Sequence, residues 1–157
     1  MKRAIIGAVV LVMALASPTS AAWHARAPFT LTLSSHVSAD WAPYIAQAAA
    51  DWSASPVIDI SVGSHGKLSV FNGAYGANYP WSWTTLTSGG GYTKTATISL
   101  NDTWLAGATA AQRQHAICAE IGNAVSSSEG CRDRVTGEWF TSPTAQDFAD
   151  LVAIYGP

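Results

Sequence analysis

Two cysteines thirteen residues apart, Cys118 and Cys131, most tightly constrain how this chain folds. Residues 109–125 form an apolar pattern with helical spacing, and Cys118 lies inside it. Ser126–Thr141 is polar and loop-like, anchored by Trp139 and Phe140, and Cys131 lies inside that. A bridge between the two cysteines would fasten the loop back onto the helix it leaves. On the chain-entropy estimate the bridge is worth about 3 kcal/mol. Two free buried thiols, or thiolate metal ligands, are the other readings. Two cysteines without a nearby histidine pair make a poor zinc set.

The bridge needs an oxidising compartment, and the N-terminus is consistent with one. Lys2 and Arg3 precede an apolar run, Ala4–Ala16, and Pro18–Ala22 supplies small residues. This pattern predicts a signal peptide over residues 1–22, cut after Ala21 or Ala22, and a single secreted, extracellular domain over 23–157. The apolar run is short for a membrane span, and no other segment is apolar for longer. Cleavage leaves six basic residues against ten acidic ones, a formal charge of about −4. No basic cluster offers a face for nucleic acid or for an anionic membrane. Both methionines, Met1 and Met13, leave with the signal peptide.

The remainder reads as an α+β fold. Strands are expected at 28–34, 57–62, 67–71 and 93–100, from alternating or β-branched runs. A first helix is expected from a Ser38 or Asp40 cap to Trp52, with Pro43 in its first turn. The motif helix should run from about Thr109 to Val125. A final helix opens at Pro143, where Thr144 and Asp147 form a capping box. Residues 72–91 read as a long irregular stretch, with Gly89–Gly91 as a flexible loop tip, since no Gly-Lys-Ser/Thr follows to make a phosphate loop.

Four passages resemble the secreted bacterial matrixin-like metzincins, zinc proteases of zincin fold. They are Ala48–Ser53, Gly73–Gly76 with Ala96–Asn101, Arg113–Gly122, and Pro143–Tyr155; the third and fourth are the specific ones. The resemblance implies a twisted mixed sheet above a cleft, a first helix, a zinc helix and a C-terminal helix. The family carries H-E-x-x-H-x-x-G-x-x-H on and after the zinc helix. Here the three histidine positions hold Ala119, Asn123 and Glu129; the acid is kept as Glu120, and Ser126 fills the glycine slot. Residues four apart share a helix face, which is why two histidines there can grip one ion. Ala119 has no donor atom, Asn123 offers only an amide oxygen, and one carboxylate at Glu129 does not make a site. Nor can the family's Met-containing turn keep its methionine.

The expected cofactor is therefore none, and the metal ligands none, with zinc only if an altered ligand set exists. Glu120 reads as a vestigial general base, or as a hydrogen-bonded carboxylate in an old cleft. His115 lies on the same helix face as Ala119 and Asn123, and reads as a packed or surface residue unless it helps rebuild a metal site. His65 reads as a turn residue, and His24 and His36 carry no pattern. Tyr75, Tyr79, Trp81, Trp83 and Tyr92 crowd one stretch. Tyr75, Trp81 and Trp83 are candidates for binding peptide or carbohydrate, set against simple covering of the core.

Three functions follow as expectations. The first is a secreted pseudopeptidase, monomeric, with a peptide or protein as partner in the vestigial cleft. The second is an active zinc endopeptidase with a non-standard ligand set. The third is a carbohydrate- or wall-binding module built on the Trp-rich stretch.

Overall fold

The computed structural model describes residues 22–126 and 128–156, so the expected signal peptide lies outside the described residues except for Ala22. The elements in chain order are β1 (Ala22–Trp23), β2 (Phe29–His36), α1 (Ala42–Trp52), β3 (Ile58–Gly63), β4 (Leu68–Gly73), β5 (Ser82–Gly89), β6 (Tyr92–Asn101), α2 (Asp102–Leu105), α3 (Ala110–Ser126) and α4 (Ala145–Tyr155). They form a mixed, mostly parallel six-stranded sheet with its helices packed on one face.

Strands β3, β2, β4 and β6 lie side by side and parallel; β5 runs antiparallel along the far side of β6, and β1 pairs with the start of β6. The period-two pattern puts Leu31, Leu33, Ile58, Ile60, Leu68, Val70, Ala96, Ile98 and Leu100 on the inner face, all buried. Ile45, Ala48, Ala49 and Trp52 of α1 and Ile117, Ile121 and Val125 of α3 meet them. Burying this aliphatic layer is the main source of stability. The outer face carries Thr30, Thr32, Ser34, Ser69 and Thr97 instead.

Residues 82–89, expected to be irregular, are strand β5. Gly90 and Gly91 have φ of 65° and 83°, so they make a tight hairpin turn that only residues tolerant of positive φ can form. Strong cross-strand pairing of Trp83-Thr84-Thr85-Leu86-Thr87 with β6 overrides the impression given by the flanking glycines. The chain also crosses from β3 to β4 over the outer face of β2 in residues 64–67. A Cβ on Gly66 would lie 2.0 Å from Thr32 O, so the crossing needs glycine there.

Helix α1 starts at Ala42 with Trp41 in the capping position and no side-chain cap, so neither Ser38 nor Asp40 serves as one. Asn72 instead accepts from the Ser38 backbone N–H. At α4 the expected capping box is present: Thr144 accepts from Asp147 N, and Asp147 Oδ2 accepts from Thr144 N at 2.7 Å. The same oxygen accepts from Cys131 N, so one buried carboxylate ties the disulfide loop to α4. No helix among the described residues is long and apolar enough to cross a membrane.

Candidate functional site

Helix α3 is anchored before it presents anything. Thr109 and Gln112 cap its start reciprocally. Trp52 Nε1 donates to Cys118 O, and Trp23 Nε1 donates to Ala124 O. Gly122 packs backbone to backbone against Gly130, where a Cβ would fall 2.7 Å from the Gly130 Cα. Cys118 and Cys131, both fully buried, are joined as a disulfide. Cys131 holds a φ of 58°, the left-handed turn that brings the chain back. Ser126 is still helical, its Oγ donating to Gly122 O, so the turn is not made at the residue filling the motif's glycine slot.

These anchors aim one face of α3 into a cleft of about 490 Å³ lined by Pro80, Trp81, Ser82, His115, Ala116, Ala119, Glu120, Asn123 and Glu129. Ala119, Asn123, Glu129, Glu120 and His115 thus share one cavity. Glu120 is 6% exposed, and its carboxylate is occupied. Ser82 Oγ donates to Oε1 at 2.8 Å, Thr84 Oγ1 to Oε2 at 2.7 Å, and Asn123 Nδ2 to Oε2 at 3.1 Å. Both hydroxyls stand on the inner face of β5, so Glu120 fastens the motif helix to the edge strand.

The donor set does not fit a zinc ion. Ala119 supplies no atom, and Asn123 turns its amide N–H onto Glu120. Glu129 is half exposed and paired with Arg132 at 2.7 Å. His115 donates from Nδ1 to Phe140 O at 3.0 Å, the only role for that nitrogen facing a carbonyl, and its ring lies 4.9 Å from that of Trp139. Among the described residues no group of three or more His, Cys, Asp and Glu side chains is arranged to hold a metal ion.

A second hollow, about 320 Å³, continues the cleft between Trp81, His115, Glu129, Arg132, Gly137 and Trp139. Trp81 and Trp139 are both about half exposed. The other two aromatic candidates point elsewhere. Tyr75 packs edge-on against Trp83 and Tyr79 stacks on it, while register puts Trp83 on the outer sheet face opposite Ser99.

Sequence reasoning missed Ser82, together with Thr84 as a partner of Glu120, and Arg132 and Trp139 as residues of the cleft and its adjoining hollow. The first two carried a signal: the alternation of Ser82, Thr84 and Leu86 is that of a strand with one face turned inward. It also missed Asn101, fully buried, whose amide donates to Gly76 O and Pro80 O and whose oxygen accepts from Tyr75 N, shaping the loop above the cleft. In comparison with known proteins, the chain matches no family model and no curated protein.

Proposed function

We propose that this chain is a secreted pseudopeptidase on a matrixin-like metzincin scaffold, which holds a peptide or protein segment in its cleft without hydrolysing it. One observation supports the reading: Ala119, Asn123 and Glu129 line the same cavity as Glu120, yet hold too few donor atoms for zinc. Glu120 is engaged by Ser82, Thr84 and Asn123 rather than by a metal-bound water. A carboxylate with both oxygens occupied is poorly placed to take a proton from a nucleophile.

Binding has its own support. Among the described residues β5 pairs only with β6, which leaves its other edge to accept an extended chain by strand addition. Trp81 and Trp139, flanking His115, offer broad amphipathic surface for a side chain of that segment.

The test is incubation of the purified chain with zinc and casein, with and without a chelator, beside a peptide-display selection on the same protein. The reading expects no chelator-sensitive cleavage, and selected peptides whose binding falls at least tenfold in Trp81→Ala. Chelator-sensitive cleavage would overturn it in favour of an active endopeptidase.

A further inference from the structure

The outer face of the sheet is a second place where ligand chemistry collects. Parallel sheets are usually covered on both faces by apolar layers. Here the face that no helix covers among the described residues is hydroxyl-rich, and the 64–67 crossover makes a groove on it of about 710 Å³. Thr30, Thr32, Ser34, Ser69, His36, His65 and Lys67 are in its lining.

Two observations decide what such a groove suits. The first is charge. Lys67 is exposed and belongs to neither ion pair found among the described residues, Arg132–Glu129 and Arg134–Asp150. It shares the groove with two imidazoles and no carboxylate. Asp59 stands on the same face opposite Thr30 but outside the lining. In a chain of net charge −2, this is a local reversal of sign.

The second is the geometry at the groove's end. Ser34 Oγ donates to Ser64 O at 2.8 Å, so the 3.0 Å contact with His36 is a donation from His36 Nε2 to that hydroxyl. This fixes the imidazole flat against Phe71, with centroids 4.7 Å apart and planes 8° apart. Register continues the row across the sheet, from His36 to Phe71, Ser99 and Trp83. Four strands at about 4.8 Å spacing make this a track of about 14 Å. Tyr79 stacks beside Trp83 at its far end.

A row of aromatic side chains, a bed of hydroxyls and a local positive charge together match a chain of sugar rings bearing anionic groups. We propose that the outer sheet face binds an acidic polysaccharide. The rings pack on Phe71 and Trp83, the hydroxyls bond to Thr30, Thr32 and Ser69, and a carboxylate or sulfate sits at Lys67 and His65. This site is on the opposite side of the sheet from the cleft and does not depend on what the cleft does.

The test is calorimetric titration of the purified chain with a uronic-acid oligosaccharide, a sulfated oligosaccharide, a neutral oligosaccharide of equal length, and polyglutamate as a ring-free polyanion. Binding of either acidic sugar is expected, with the neutral sugar and polyglutamate at least tenfold weaker. Lys67→Gln, at an exposed position, and Phe71→Ala should each weaken the acidic sugar at least tenfold, and Trp81→Ala in the cleft should leave it unchanged. Absence of binding to both acidic sugars would overturn the proposal. So would equal binding of polyglutamate, or full affinity in Lys67→Gln.

Discussion

Thr84 Oγ1 lies 2.7 Å from Glu120 Oε2 and 3.0 Å from the Glu120 backbone carbonyl, so one hydroxyl of the edge strand is shared by the side chain and main chain of a single motif-helix residue. A buried carboxylate is tolerable only when its oxygens are satisfied, and here two strand hydroxyls and one helix amide do so.

Thr84→Val should therefore destabilise the protein by about 1–3 kcal/mol, the cost of leaving a buried acceptor short of a donor. Glu120→Gln should cost less, because the amide retains an acceptor and the hydroxyls can turn to accept from its N–H. The double variant should lose less than the sum of the two. Urea denaturation of the four proteins checks this. An additive cycle would mean that the contact carries no coupling.

Gly122→Ala should cost about 1–3 kcal/mol or more, by overpacking. The new methyl would meet the Gly130 backbone at 2.7 Å and Trp52 at 3.1 Å, and neither can yield cheaply. Gly107→Ala, with nothing within 4 Å, is the control and should be near neutral. Thermal unfolding separates them.

Much of the fold was legible because its signals are local. The β-branched run at 95–98, the helical spacing through Trp41, Ile45 and Trp52, and the Thr144–Asp147 box each act within a few residues of themselves. Strand β5 was not legible, since its glycines and aromatics mask an alternation whose reward comes only from pairing with β6. The cleft was half legible. Position 119 implies position 123 through helix periodicity, but nothing in the chain announces that Ser82 and Thr84, some forty residues earlier, would satisfy Glu120. That depends on the hairpin bringing β5 beside α3. The split of the aromatics, Trp81 to the cleft and Trp83 to the outer face, arises because β5 begins only at Ser82: two residues apart within one strand they would share a face, but Trp81 lies just before it.

Reduction of the Cys118–Cys131 bridge should lower stability by about 3 kcal/mol on the chain-entropy estimate. Both sulfurs are inaccessible in the folded protein, so the effect should need partial unfolding or strong reductant to develop. Unfolding with and without dithiothreitol, or of Cys118→Ala/Cys131→Ala, measures it.

Burial pushes the Tyr155 hydroxyl up to about 12, against an ordinary value of 10.0. The folded state thus holds this proton more tightly than the unfolded chain. Its contribution is intact below pH 10 and is lost as pH rises through 10 to 12, by about 2–3 kcal/mol in all. Tyr155 Oη donates to Val125 O and accepts from Trp23 N, so Tyr155→Phe should be less stable at pH 8 and should also show a shallower alkaline loss. Urea midpoints of both proteins at pH 8 and pH 11.5 give the comparison.

The central proposal is that the cleft lined by Ala119, Asn123 and Glu129 is a zinc site without its donors, and zinc content tests it most directly. The native chain and the Ala119→His/Asn123→His/Glu129→His variant would be dialysed against zinc and analysed for bound metal per folded chain. The account predicts no stoichiometric zinc in the native chain and about one ion in the variant. One tightly held zinc in the native chain, or a folded variant that takes up none, would contradict it.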